Sequence, residues 1–233
     1  MRISASFFLG GLLLLAAGPL LAQSARPAAK AAPAVKVAAP VIHQGNAAAG
    51  RLKAEDERCV ECHGHDGNAN DIEDGVGNIG KFPRLAGQNV GYIIKQFGEF
   101  RSGKRENETM AVMAKTVSAV DLADIAAYFS SQKAMQGDGK GDNPVGRKLF
   151  HEGDPARGIL ACVGCHNERS AGGVPSAAET PLIVGQHRRY LQKQLMEWRA
   201  GVRHNSPGGI MNTMAKTLSD AEIDALADYI SGR

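Results

Sequence analysis

The chain has 233 residues, 43% of them hydrophobic and only 5% aromatic, which suits one or two domains with modest cores. Its formal net charge of +3 is too small to argue for a nucleic-acid partner. All four cysteines fall in two short motifs, so none is left for a disulfide.

The N-terminus reads as a secretory signal over residues 1–22. Arg2 supplies the charge, Phe7 to Leu21 the apolar run, and Ala22 the last residue before cleavage. That run is shorter than the ~20 residues a membrane span needs. Kept as an anchor, it would give loose membrane association. Residues 23–42 are rich in Ala, Pro and Lys, with Pro27, Pro33 and Pro40. They lack an amphipathic period and predict an extended, solvated tether.

A helix predicted over Ala47 to Arg58 runs into Cys59-Val60-Glu61-Cys62-His63. C-x-x-C-H is the attachment signature of c-type haem. Each thiol can add across one haem vinyl group, and the histidine then supplies the proximal nitrogen to the iron. The motif recurs as Cys162-Val163-Gly164-Cys165-His166, after a helix predicted over Val145 to His151. A four-thiolate zinc site or a redox dithiol are the bland alternatives. Zinc ribbons usually pair their knuckles over a short spacer, whereas Cys62 and Cys162 are 100 positions apart. Neither alternative requires a histidine after both pairs. The two motifs therefore predict two covalent haem c groups.

The surrounding sequence repeats as well. Phe82-Pro83-Arg84-Leu85-Ala86-Gly87-Gln88 corresponds to Thr180-Pro181-Leu182-Ile183-Val184-Gly185-Gln186. Tyr92, Lys95, Gln96, Arg101, Gly103, Arg105 and Asn107 recur as Tyr190, Lys193, Gln194, Arg199, Gly201, Arg203 and Asn205. These lie on or just after helices predicted over Val90 to Arg101 and His187 to Ala200. Tyr92, Ile93, Gln96, Phe97 and Phe100 have the three-and-four spacing of a buried stripe. Last helices begin at the capping boxes Ser118-x-x-Asp121 and Ser219-x-x-Glu222, the Asp being the weaker cap. No stretch alternates like a strand. The predicted class is all-α, with a first domain over residues 43–135 and a second over 136–233. Gly50-x-x-x-Ala54 stands where the second copy has Gly146-x-x-x-Phe150, which predicts a looser first-helix contact at Tyr128 than at Tyr229.

Methionine, histidine or nothing can fill the iron's second axial position. Matched pairs precede the last helix of each repeat, Met110 with Met113 and Met211 with Met214, in what reads as a loop. A lone methionine is usually core filler; a pair in matching places is less easily dismissed. His43, His65, His151, His187 and His204 do not recur in both repeats and read as surface or supporting residues. An acidic insertion holds Asp66, Asp71, Glu73 and Asp74, read as a solvated loop rather than a calcium site.

The order C-x-x-C-H, P-x-x-x-G-Q, methionine pair, then L-S-x-x-[DE] and A-x-Y resembles class I cytochromes c. The tandem arrangement resembles the di-haem cytochrome c4 group, over residues 46–233. That resemblance implies two cytochrome c domains, each wrapped around one haem. It implies His63 with Met110 and His166 with Met211 as iron ligands, because the family's methionine lies seven residues before the position of Val117 or Leu218. It also implies that the carbonyls of Pro83 and Pro181 accept the proximal histidines' outer N–H.

Methionine plus histidine saturates the iron and leaves no open position for a substrate. The function that follows is one-electron carriage in the periplasm, between redox proteins such as a quinol-oxidising complex, a terminal oxidase or a dehydrogenase. The rivals are a di-haem enzyme such as a peroxidase or thiosulfate-oxidising cytochrome, and the electron-accepting subunit of a dehydrogenase. Residues 43–135 carry 11 basic and 13 acidic side chains, and residues 140–233 carry 12 and 10, a modest asymmetry that could separate two docking partners. The denatured protein is expected to keep its haem through acid–acetone extraction, with a mass exceeding the polypeptide's by two haems. Extractable haem, or one per chain, contradicts this.

Overall fold

In the computed structural model, residues 45–69, 80–166 and 179–233 are described. The expected signal, tether and most of the acidic insertion lie outside them. Residues 42–233 form one compact unit. The described residues contain helices and one isolated β-bridge, Asp154 to Ile159, and no strand.

Helix α1 (Ala47–Asp56) starts at Asn46, whose side chain accepts the N–H of Ala49. It packs on α5 (Ala119–Ser131). A Cβ at Gly50 would lie 1.9 Å from the Asp124 carbonyl oxygen, so the close approach requires glycine. The second half repeats this with α6 (Pro144–His151) on α9 (Asp220–Ser231), where a Cβ at Gly146 would lie 2.0 Å from the Ala225 oxygen. The first contact is therefore no looser at its glycine than the second. What differs is the aromatic arrangement. Phe150 and Tyr229 rings lie 5.7 Å apart, and Tyr229 OH bonds His151 at 2.8 Å. Tyr128 instead stacks on Phe129 at 5.2 Å and donates to the His65 carbonyl.

The capping difference read from the sequence is present. Ser219 and Glu222 make the full reciprocal box. Ser118 accepts the Asp121 N–H at 3.1 Å and its hydroxyl donates to the Asp121 carboxylate at 2.5 Å, while the other carboxylate oxygen pairs with Lys53 at 2.6 Å rather than with the Ser118 N–H.

Helices α3 (Val90–Ser102) and α7 (Arg188–Ala200) both end on left-handed glycines, Gly103 and Gly201. Ile93, Phe97 and Phe100 join Ala54, Leu122, Ile125 and Phe129 in one core. Leu191 and Trp198 join Phe150, Ile223, Leu226 and Ile230 in a second. The predicted α3 stripe is split. Gln96 leaves the apolar core, and both it and Tyr92 face the other half of the molecule, bonding Arg203 at 3.1 and 3.3 Å.

The methionine segments are helical rather than looped, as α4 (Glu108–Thr116) and α8 (Ile210–Ala215). Each has a side-chain cap that the sequence reading passed over. Asn107 accepts the Met110 N–H at 2.9 Å, and Ser206 accepts that of Met211 at 3.1 Å. Helices this short show too few turns for an apolar period to stand out in the sequence, and they are held by packing on α3 and α7 as well as by these bonds.

A polar seam joins the halves. Arg105 donates to Tyr190 OH and Gln194 Oε1, both at 2.8 Å, and its guanidinium lies 4.6 Å from the Phe100 ring centroid. Arg203 mirrors it over Trp198 at 4.3 Å. Asn205 breaks the symmetry. It is 2% exposed and reaches Gln96 and Glu99 of the first half, whereas its counterpart Asn107 caps its own helix.

His187 also sits on the seam, with Nε2 3.1 Å from the Asn68 carbonyl. Burial, followed by the nearby Arg84 charge, pushes its pKa down from 6.5 to about 4. The unfolded chain therefore takes up a proton there first as pH falls. This costs stability progressively from about pH 6.5 down to the folded value, and none of the cost is present above that window. A His187→Gln variant of the holoprotein should show a flatter urea midpoint against pH between about 6.5 and 4 than the wild type. Parallel curves would remove His187 as the cause.

Candidate metal centres

The first C-x-x-C-H motif forms a single turn, α2 (Val60–His63). The chain enters it through Arg58, whose φ of 59° is left-handed, and the Arg58 guanidinium grips Glu61 with two bonds of 2.8 Å. In the second motif, Cys162–Gly164 is a 3₁₀ turn. Cys59 and Cys162 lie at the edges of the two cores. Burial raises both thiols to about 11, so they stay protonated and uncharged at neutral pH. Cys62 is half-buried and Cys165 exposed.

His63 Nδ1 lies 2.9 Å from the Pro83 carbonyl oxygen, and His166 Nδ1 lies 2.9 Å from that of Pro181. A carbonyl can only accept, so Nδ1 carries the hydrogen and Nε2 keeps its lone pair. Burial pushes both imidazoles below their ordinary pKa, partly offset by the proline carbonyls. Each ring is thus neutral, oriented and able to donate to a metal through Nε2.

Met110 packs against the first core and Met211 against the second, on the same clusters that take Cys59 and Cys162. Met214 is used elsewhere, its sulfur accepting the Leu160 N–H at 3.3 Å. The other described histidines have contacts of their own: His65 with Glu55 at 3.8 Å, His151 with Tyr229, His187 with Asn68, and His204 with the Val202 carbonyl at 3.3 Å. His43 lies outside the described residues, as do Asp71, Glu73 and Asp74, while Asp66 bonds Asn68. Among the described residues no group of three or more His, Cys, Asp or Glu could hold a free metal ion. Two uncharged thiols, one fixed neutral imidazole and a thioether beside an apolar core fit an iron porphyrin in each half.

The family model for cytochrome c matches residues 145–233. Cytochrome c4 of Pseudomonas aeruginosa is 40% identical over 190 residues, covering 81% of this chain and 89% of the relative. The chain belongs to the cytochrome c4 family. The crystal structure of reduced recombinant cytochrome c4 from Pseudomonas stutzeri matches with a TM-score of 0.69 at 37% identity, covering 81% of this chain and 98% of that one. A thiosulfate dehydrogenase electron acceptor of Stutzerimonas stutzeri is 36% identical over 177 residues, covering 74% and 77%. As a cytochrome c4, the protein is a di-haem electron carrier of the class I cytochrome c fold with two covalent haem c groups.

Read from the sequence, Gln96 belongs to a buried stripe and Arg203 to a basic surface, and Gln88, Gln186, Gln194 and Arg105 have no role beyond recurring in both halves. The available signal was their polarity. Surface residues drift after a duplication, and these polar residues recur in place.

Proposed function

We propose that this cytochrome c4 is a periplasmic carrier of single electrons among respiratory redox proteins, with irons held by His63 and Met110 and by His166 and Met211. The observation that carries the ligand assignment is the division of labour among the methionines. Met110 and Met211 lie against the cores that take the motif cysteines, whereas the Met214 sulfur is bonded to a backbone amide.

When bound, the haem supplies one-electron iron chemistry. The chain's residues hold it ready. The proline carbonyls fix each imidazole, and with the haem bound His63 and Met110, and His166 and Met211, would hold its iron beside the apolar cores, where the group would supply one-electron exchange with little rearrangement. An iron held by both a histidine and a methionine would offer no open position to a substrate, which supports carriage rather than catalysis. The periplasmic setting follows from the leader and from haem attachment outside the cytoplasmic membrane. Among the described residues no helix is long and apolar enough to cross a membrane.

A second setting is the accepting partner of a dehydrogenase, favoured by the likeness to a thiosulfate dehydrogenase electron acceptor. The basic surplus of residues 140–233 includes Arg188, Arg189, Lys193, Arg199 and Arg203, on or just after α7, and most of these charges are already paired. Arg188 pairs with Asp224, Lys193 with Glu197 and Arg199 with Asp220, and Arg203 is buried in the seam. Exposed pairs of this kind leave little net field for a partner.

Cyanide and carbon monoxide are expected to leave the wild-type holoprotein's spectrum unchanged at neutral pH. Met110→Ala and Met211→Ala should each make one haem reactive, while Met113→Ala and Met214→Ala should not; reactivity in the latter pair would reverse the ligand register. In stopped flow, the reduced protein should pass its electrons to an oxidised acceptor cytochrome. It should show no turnover with hydrogen peroxide or thiosulfate alone, and turnover with either would indicate an enzyme.

A further inference from the structure

The peptide unit joining Pro83 to Arg84 is hydrogen-bonded at both ends. Its carbonyl accepts from His63 Nδ1 at 2.9 Å. Its N–H, on Arg84, donates to Gln186 Oε1 at 2.8 Å. The unit joining Pro181 to Leu182 does the same, with His166 Nδ1 at 2.9 Å on the carbonyl and Gln88 Oε1 at 2.8 Å on the N–H. In each case the glutamine comes from the opposite half.

Both glutamines are built into place. Gln88 is 3% exposed and Gln186 4%. Gln186 Nε2 donates to the Arg84 carbonyl at 3.0 Å, and Gln88 Nε2 to that of Leu182 at 2.9 Å. Each carboxamide thus has an N–H against its oxygen and a carbonyl against its nitrogen, which fixes its orientation. Each Oε1 also accepts the amide that follows it in its own half, Asn89 or His187, both at 3.0 Å.

A peptide unit conducts polarisation because its C–N bond is partly double. An acceptor on the N–H draws charge toward the carbonyl oxygen. Such cooperative strengthening is about 10–30% per bond in condensed phase. A more negative oxygen pulls harder on the imidazole N–H and makes Nε2 a stronger donor. A stronger donor favours oxidised over reduced iron and lowers the potential.

We propose that Gln186 and Gln88 are positioning residues that tune the irons crosswise: Gln186 acts on the iron bound by His63, and Gln88 on the iron bound by His166. The proposal rests on those two histidines being the proximal ligands.

The test is a haem-resolved redox titration of the holoprotein. Paramagnetic NMR would follow haem methyl resonances assigned to each half through His63 or His166. Gln186→Met replaces the carboxamide oxygen with a thioether, a much weaker acceptor, while keeping side-chain length. It should raise the potential of the first-half haem and leave the other unmoved. Gln88→Met should do the reverse. Gln186→Glu and Gln88→Glu supply a more basic acceptor and should take the opposite-half potential below its wild-type value. Equal shifts at both haems, a shift only at the variant's own haem, or no shift would overturn the proposal. If a Met variant does not fold, its Glu partner decides. A downward shift at the opposite haem alone supports the proposal, and any other result overturns it. The methionine-to-iron charge-transfer band, recorded in each variant, separates the two readings. Its absence from the wild type counts against the ligand assignment. Its presence with unmoved potentials counts against the crossed tuning alone.

Discussion

A buried imidazole can serve an iron only if its ring is held and its outer nitrogen is satisfied, and in each half one proline carbonyl does both. The peptide unit that bears this carbonyl is held at its other end as well. There the next residue's N–H and C=O are clasped by a buried glutamine across the seam. The peptide unit behind each candidate iron ligand is therefore held from the other half of the molecule.

The seam is polar for a related reason. Apolar halves would adhere, but many registers would bury similar area. Here a shift of one half would break the bonds of Arg105 to Tyr190 and Gln194 and those of Arg203 to Tyr92 and Gln96, leaving each guanidinium only the glutamine of its own half among these acceptors. A buried donor without a partner costs ~1–3 kcal/mol, and more when charged. Stacking on Phe100 and Trp198 offsets part of the cost of burying each cation. The network thus selects one arrangement of two bodies that also have separate cores.

The near-symmetry is broken where the two sequences differ in length. The stretch Ser206-Pro207-Gly208-Gly209 postpones α8, and Ser206 takes over capping from the asparagine. Asn205, freed from that task, crosses to Gln96 and Glu99, and Lys95 donates to its carbonyl at 3.0 Å. A shared sequence position thus has two jobs, decided by when the next helix begins.

Much of this molecule was legible in the chain because its strongest signals are local. C-x-x-C-H specifies its chemistry within five residues, and the helices of each half announce themselves through caps and apolar spacing over a few turns. The duplication exposed the rest of the pattern. Three features were not legible. The methionine segments are too short for a periodic signal and are set by caps and by packing. Tyr92 and Gln96 share the spacing of core residues, and only the presence of a second half decides that they face a partner. Gln88 and Gln186 lie 98 positions apart, and nothing local to either shows which backbone it will clasp. The sequence by itself determined the cofactor chemistry, the helical class and the repeat, because each is written in contiguous residues. Only the tertiary structure decided which half clasps the peptide unit behind each motif histidine, because a hydrogen bond depends on position in space and not on order along the chain.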